Sequence, residues 1–295
     1  MHLDASMFAA QFISGLCHGM ILFLMASGLT LVFGVMRVIN FAHGSFYMLS
    51  AYLAYSVTQF FMVGPYGFWI ALITVPVIVS IVGGVVEWLL LRRIYEKEHL
   101  LQILLTYALV FVFNDSVKLI WGTDMRIVRM PPQLTGSVLF LGQEFPVYYF
   151  FIIITGLIVA LAMWLILKYA KVGKLLRAAA EQGDMVGLLG YNVSTLFTVV
   201  FMVATALAGL AGVVMAPTIR LALGMDILII IECFLVVIIG GLGNVWGALL
   251  AALITGQTYA FGILVLEKYA MAFLFALAAL IIIFRPSGLL GKSGR

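Results

Sequence analysis

Charged side chains are scarce in this sequence. Asp, Glu, Lys and Arg make up 9% of the 295 residues, whereas a soluble domain contains about 25%. Hydrophobic residues account for 65%, and they form runs of about 20 residues rather than short alternating segments. This pattern excludes a soluble globular protein and a membrane β-barrel, and it predicts an all-α integral membrane protein.

Cysteine and catalytic motifs are scarce as well. Cys17 and Cys233 both lie within apolar runs, which excludes a disulfide framework and gives no metal-ligand spacing. No HExxH, GxSxG or CxxC pattern occurs, so nothing indicates hydrolase or redox chemistry. We therefore expect no catalytic residue, no metal and no cofactor in this chain. The energy for any transport must come from an ion gradient or from another subunit.

Lys and Arg are absent before the first apolar run, Gln11–Met36, so we expect no cleaved signal peptide and a first span that is retained. Gly15 and Gly19 form a GxxxG pair within it, which indicates close helix packing. The apolar runs together predict a single domain over 1–295 with eight or nine transmembrane helices, one or more of them broken or re-entrant. The segment 227–242 could cross the membrane or form a re-entrant element, because its run of 13 apolar residues is too short for an ordinary span.

The distribution of positive charge predicts the orientation. If the loop that starts at Lys171 is cytoplasmic, eleven of the 16 Lys and Arg residues fall inside, as the positive-inside rule requires. The N-terminus is then outside, and an odd number of crossings brings the C-terminus into the cytoplasm. The net charge of +4 reflects this placement and indicates no nucleic-acid surface. The inside residues are Arg37, Arg92, Arg93, Lys97, Lys168, Lys171, Lys174, Arg177, Arg285, Lys292 and Arg295.

Polar residues and glycine interrupt the apolar sequence at two places, one in each half of the chain. Non-helical backbone at membrane depth persists only where protein buries it or where it lines a wet cavity. Broken segments in both halves point to a translocation site, where helix N-termini can receive a carboxylate. A cytoplasmic turn exposed to water is the alternative for the first interruption. The candidate pathway residues are Asn40, His43, Gly44, Gly241, Gly243 and Asn244.

The segment 171–193 is the longest stretch without a membrane-grade apolar run, and it is rich in helix-forming residues. At helical spacing one face carries almost no side-chain bulk, which suits a surface that docks closely against a partner. An ordinary cytoplasmic connector is the alternative. The residues of the smooth face are Ala180, Gly183, Gly187 and Gly190, and those of the neighbouring polar stripe are Arg177, Glu181 and Asp184.

Several motifs in this order resemble the LivH-type permeases, which are membrane subunits of branched-chain amino acid ABC importers. Gly28–Gly34 (GLTLVFG) followed by Asn40–Gly44 (NFAHG) looks like the N-terminal signature of that family. Arg177–Gly190 is similar to its cytoplasmic coupling segment, Gly240–Ala248 to its C-terminal motif, and Arg285–Gly291 to its terminal one. The resemblance covers nearly the whole chain.

The resemblance implies a bacterial inner-membrane importer of branched-chain amino acids. Its partners would be a second permease, expected to be a homologous subunit rather than another copy, together with two cytoplasmic ATPases that bind ATP and Mg²⁺ and an external substrate-binding protein. Lys174–Gly190 would be the coupling helix that docks on an ATPase. Two alternatives remain: a related permease for urea or another small polar solute, and a stand-alone ion-coupled transporter that uses Asp115 or Glu232.

Overall fold

A computed structural model describes residues 5–60, 66–95, 97–140 and 143–291, and most of these residues are helical. The all-α prediction is confirmed. The helices are α1 (Ala5–Met36), α2 (His43–Phe60), α3 (Gly67–Leu89), α4 (His99–Trp121), α5 (Val147–Tyr169), α6 (Lys171–Leu188), α7 (Val193–Met215), α8 (Met225–Gly240), α9 (Val245–Leu266) and α10 (Ala270–Phe284). Four short strands are β1 (Arg126–Ile127), β2 (Ser137–Phe140), β3 (Gln143–Pro146) and β4 (Arg220–Leu221).

Within the described residues, six helical stretches are long and apolar enough to cross a membrane. They are Met7–Met36, Gly67–Arg93, His99–Trp121, Val147–Tyr169, Val193–Thr218 and Val245–Phe284, the last of which contains both α9 and α10. The helices α2 and α8 have 18 and 16 residues. At 1.5 Å per residue they are about 27 and 24 Å long, which is less than the hydrocarbon core of about 30 Å. The prediction of a polytopic protein with short or broken helices is confirmed.

The bundle has two distinct ends. At one end β1 pairs antiparallel with β4 and β2 pairs antiparallel with β3. At the other end lies α6, whose Ala180 carbonyl accepts a hydrogen bond of 3.2 Å from the Arg37 guanidinium. Helix α8 starts beside β4 and ends where the Ile239 carbonyl accepts from the Leu289 amide at 2.7 Å. It therefore runs from the interior of the bundle, close to β4, to the α6 end.

The centre of the bundle is α1, whose most apolar 18-residue window is 89% buried. Its longest interface is with α9, and close contacts at small residues make that interface possible. A Cβ added to Gly256 would lie 2.6 Å from the Cα of Gly19 and directly against the carbonyl oxygen of Gly15. The GxxxG pair in α1 is therefore a packing surface, as predicted.

A buried carboxylate joins α3 and α7 near the α6 end. Glu87 is fully buried, and it accepts hydrogen bonds from the Thr198 hydroxyl at 2.6 Å and from the Tyr95 hydroxyl. Burial and the hydrogen bond to Glu87 raise the pKa of Tyr95, so its phenol remains a donor across the physiological range. This cluster stabilises the turn between α3 and α4.

Candidate functional site

The first polar interruption re-enters the bundle. After α1 ends, Arg37 adopts a positive φ of 55°, and the chain continues without helical structure until α2 starts at His43. The Ile39 carbonyl accepts from the Thr106 hydroxyl of α4 at 3.3 Å, and the Met25 carbonyl of α1 lies 3.0 Å from Nε2 of His43. Val38, Asn40 and Ala42 in this non-helical segment are therefore buried in protein, whereas Arg37 at its start is exposed.

The N-termini of the two short helices meet inside the bundle. A Cβ added to Gly44 would lie against the Asp226 carbonyl oxygen and 3.0 Å from the Cβ of Ile230, so the backbones of α2 and α8 are nearly in contact. Asp226, in the first turn of α8, accepts hydrogen bonds at Oδ2 from the Ser45 hydroxyl at 2.8 Å and from Nδ2 of Asn114 at 2.9 Å. We call Asn40–Ser45, Asn114 and Asp226 the interior junction.

Several polar atoms of the interior junction are buried without a hydrogen-bond partner in the described part of the chain. They are both amide atoms of Asn40, Nδ1 of His43 and Oδ1 of Asp226. Asn40 and His43 are 0% exposed and Asp226 is 1% exposed. Buried polar groups normally find a partner, and an unpaired one costs about 1–3 kcal/mol. Unsatisfied groups in the membrane interior mark a place where a ligand or a second conformation can supply the missing partners.

The second interruption lies at the α6 end of the bundle, away from the interior junction. Gly241 and Gly243 have φ angles of 100° and 80°, and the Cα of Gly243 would meet a Cβ on Gly34 of α1. Asn244 caps α9 through the amides of Trp246 and Gly247, and its Nδ2 donates to the Leu290 carbonyl at 2.6 Å. The structure does not bring the two predicted groups together, and a pathway role for Gly241, Gly243 and Asn244 stays a prediction.

Helix α6 is kinked, and the prediction of one continuous helix over Lys174–Gly190 is wrong. Gln182 has φ −145° and ψ 75°, which is outside the helical region and divides α6 into two short parts. A smooth face assigned by helical spacing cannot continue through that kink. Gly183 and Asp184 lie in α6, but their side chains are outside the described set.

The candidate docking residues that are described occupy two environments. Ala180 is half-buried against Arg37, and Arg177 is exposed and donates to the Leu167 carbonyl. Glu181 is exposed, and so are Gly187 and Gly190, where an added Cβ would meet no atom within 4 Å. Gly190 has a φ of 86°, which suits its predicted place just after the helix. A docking role for all seven residues stays a prediction.

Large apolar side chains are exposed around the end of α6, a feature that the sequence analysis missed. Met185, Leu188, Leu189 and Tyr191 are 56%, 83%, 75% and 52% exposed, and they flank Gly187 and Gly190. We call these four residues the apolar tip. The adjacent polar segment is unsuited to the hydrocarbon core, so this patch is typical of a protein contact. The sequence could have revealed the apolar tip if the large apolar residues beside the smooth face had been considered together with the small ones.

A cleft of about 880 Å³ lies between α1, α5, α6 and the turn from α8 to α9. Lys168 and Arg177 line it, and the Lys168 ammonium lies 4.8 Å from the centre of the Trp164 ring. Basic residues that the charge pattern assigned to one side therefore lie at one end of the bundle. Within the described ranges, no group of three or more His, Cys, Asp or Glu side chains could hold a metal ion.

Residues 11–284 match the family described as the branched-chain amino acid transport system / permease component. The chain belongs to this family. It is 28% identical to the high-affinity branched-chain amino acid transport system permease protein BraD of Pseudomonas aeruginosa, over 96% of this chain and 95% of BraD. It is 27% identical to the corresponding protein LivH of Escherichia coli K12, over 97% of this chain and 96% of LivH. No solved structure matches.

A relative from Methanocaldococcus jannaschii supports the same assignment. The permease is 28% identical to a probable branched-chain amino acid transport permease protein LivH of Methanocaldococcus jannaschii, over 80% of this chain and 75% of that protein. The family match over residues 11–284 extends from α1 to α10, so it includes the interior junction and α6. The predicted resemblance to LivH-type permeases is confirmed.

Proposed function

We propose that this permease is the membrane subunit of an ATP-driven importer that moves branched-chain amino acids across the bacterial inner membrane. The observation that carries the proposal is the family match over residues 11–284, which leaves only the chain ends outside it. The names of BraD and LivH state transport of branched-chain amino acids for those proteins. The chain itself would be a conduit without enzymatic activity, and ATP would be bound and hydrolysed by separate subunits.

The α6 end supports a coupling role. The apolar tip is exposed at a segment whose neighbours include Lys168, Lys171 and Lys174, so positive-inside placement puts it in the cytoplasm. Two copies of a cytoplasmic ATPase would bind at such tips, one on this permease and one on a homologous second permease. Closure of the ATPases on ATP would move α6 and switch access to the pathway. An external binding protein would deliver substrate at the strand end.

The interior junction supports translocation of a small zwitterion. It brings a buried carboxylate and two helix N-termini together, which suits a solute with one positive and one negative group and an aliphatic side chain. Urea carries no charge and would leave Asp226 without a counter-charge. The junction thus favours an amino acid over urea as the substrate.

Reconstitution tests this proposal. Vesicles that contain the permease, the second permease and the ATPases, with the binding protein added outside, should accumulate labelled leucine only when ATP is present on the ATPase side. Unlabelled isoleucine and valine should compete, and urea should not. Accumulation without ATPases, or competition by urea alone, would contradict the proposal.

A part-buried pair of His18 and Glu232 favours the ion-coupled alternative, which can be tested. Nε2 of His18 lies 3.1 Å from Oε2 of Glu232, and the two side chains are 21% and 10% exposed. Acidic residues within a membrane often serve ion pathways. By contrast Asp115 is exposed on α4 and faces away from the junction that its neighbour Asn114 joins. Ionophores that collapse proton and sodium gradients should leave ATP-driven uptake unchanged if the alternative is wrong.

A further inference from the structure

The carboxylate of Asp226 has an unusual position for a structural residue. It is 1% exposed inside a membrane protein, and both of its hydrogen-bond donors, Ser45 and Asn114, are neutral and act on the same oxygen. Oδ1 has no donor in the described part of the chain. A positive partner would stabilise a carboxylate in such surroundings, and the oxygen that still lacks a donor is Oδ1.

We propose that Oδ1 of Asp226 binds the α-ammonium group of the amino acid during translocation, with Ser45 and Asn114 as positioning residues. This inference rests on the proposed function. An ammonium group supplies both the positive charge and the N–H donors that Oδ1 lacks, and a charged hydrogen bond is roughly twice as strong as a neutral one. The two neutral donors on Oδ2 fix the carboxylate so that Oδ1 keeps one orientation.

The surroundings of Asp226 also suit the other end of the zwitterion. The N-terminus of a helix carries partial positive charge, and α2 presents its first turn at Gly44 next to Asp226. The Asn40 amide, fully buried and without a partner, lies just before this turn and can donate to a carboxylate. Ammonium and carboxylate of one amino acid can thus be recognised by opposite charges within the interior junction.

The described conformation is closed around this site. The near-contact of Gly44 with the Asp226 carbonyl leaves no room for a ligand between the two helix N-termini. Substrate would therefore reach Oδ1 only when α2 and α8 separate, which is the motion expected when a permease changes the side to which it is open. In this picture Asp226 discriminates against solutes without an ammonium group as they pass.

The test uses the complete transporter with Asp226→Asn, which keeps the size of the side chain and removes its charge. The matched control is Asp115→Asn, one residue from Asn114 but exposed on α4. Loss of one charge-assisted hydrogen bond corresponds to a change of about 10–100-fold in apparent affinity. We expect ATP-driven leucine uptake by Asp226→Asn to need at least about tenfold more leucine, while Asp115→Asn stays within about twofold of wild type.

A second readout separates binding from structure. Competition against labelled leucine is measured on the purified complex without the binding protein, using leucine and its analogue 2-hydroxy-4-methylpentanoate, which has a hydroxyl in place of the ammonium. Wild type should prefer leucine, and Asp226→Asn should bind the two about equally. A retained preference in an assembled variant would show that Asp226 is structural, and unchanged uptake would likewise overturn the proposal.

Two further variants cover the case in which Asp226→Asn does not assemble. Ser45→Ala and Asn114→Ala each remove one donor from Oδ2, and each should reduce the preference for leucine several-fold; an unchanged preference in both contradicts the inference. Failure of the proposed function is a separate result. If the wild-type complex accumulates no leucine with ATP, the proposed function fails, and this inference fails with it.

Discussion

The contact between α2 and α8 makes a quantitative prediction at Gly44. In Gly44→Ala the new Cβ would lie 3.2 Å from the Asp226 carbonyl carbon, 3.0 Å from the Ile230 Cβ and closer still to the Asp226 carbonyl oxygen. Ordinary contacts begin at about 3.4 Å. Because the crowded Asp226 atoms belong to backbone, the two helices must move apart rather than let a side chain rotate away.

The cost follows from overpacking. Extra methyl groups in a well-packed core destabilise by about 1–3 kcal/mol, and each kcal/mol lowers the melting temperature of a larger domain by about 2–4 °C. We therefore expect Gly44→Ala to melt about 2–12 °C below wild type in detergent. The same displacement should weaken the hydrogen bond from Ser45 to Asp226 and reduce leucine uptake.

The assay is a thermal melt of the purified permease, followed by the fraction that remains monodisperse. Gly187→Ala is the matched control, because its Cβ would meet nothing within 4 Å, and its melting temperature should not fall. If Gly44→Ala had the melting temperature of wild type and transported leucine normally, the close approach of the two helix N-termini would be refuted.

Two other substitutions test the packing away from the interior junction. Thr198→Val removes one donor to the buried Glu87 carboxylate and should destabilise the permease by about 1–3 kcal/mol in the same thermal melt. Gly256→Val places side-chain atoms against the backbone of Gly15 and Gly19, and we expect loss of the folded, monodisperse protein after extraction, measured by size-exclusion chromatography.

For both substitutions, one result would contradict the expectation, and Thr198→Val also has a control variant. Thr74→Val removes a hydroxyl that bonds only to the Ile70 carbonyl of its own helix at an exposed position, and it should change the melt little. Equal melting of Thr198→Val and Thr74→Val would contradict the proposed role of the Glu87 cluster. For Gly256→Val, recovery of wild-type yield would contradict the tight contact of α9 with α1.

The fold could be predicted well from sequence where one physical signal dominates. Long apolar runs fix the membrane helices, and the first of them ends at Met36 in both prediction and structure. The short strands escaped prediction, because β1 and β4 have two residues each and depend on a partner almost 100 residues away. Pairing over that separation leaves no local pattern.

The candidate site was predicted only in part. The Asn40–Gly44 interruption is visible because polar residues divide an apolar region, but its partner Asp226 looks like an ordinary acid at the start of a helix. Only the fold brings Ser45, Asn114 and Asp226 together, across 181 and 112 positions of the chain. The kink at Gln182 was missed for a related reason, since helix-forming residues on both sides conceal a single non-helical residue.

The apolar tip provides the test of how the permease obtains its energy. Leu188 and Leu189 are 83% and 75% exposed, so the double substitution Leu188→Glu/Leu189→Glu should leave the fold intact while placing two charges in a dry protein contact. Leu139→Glu, at a 71% exposed position on β2 at the opposite end, is the control. The measurement is ATP-driven leucine uptake into vesicles, with co-purification of the ATPases from the same preparation. We predict that the double variant loses both uptake and its ATPases, while the control keeps its ATPases. Normal uptake by the double variant would contradict transmission of the energy of ATP hydrolysis through α6.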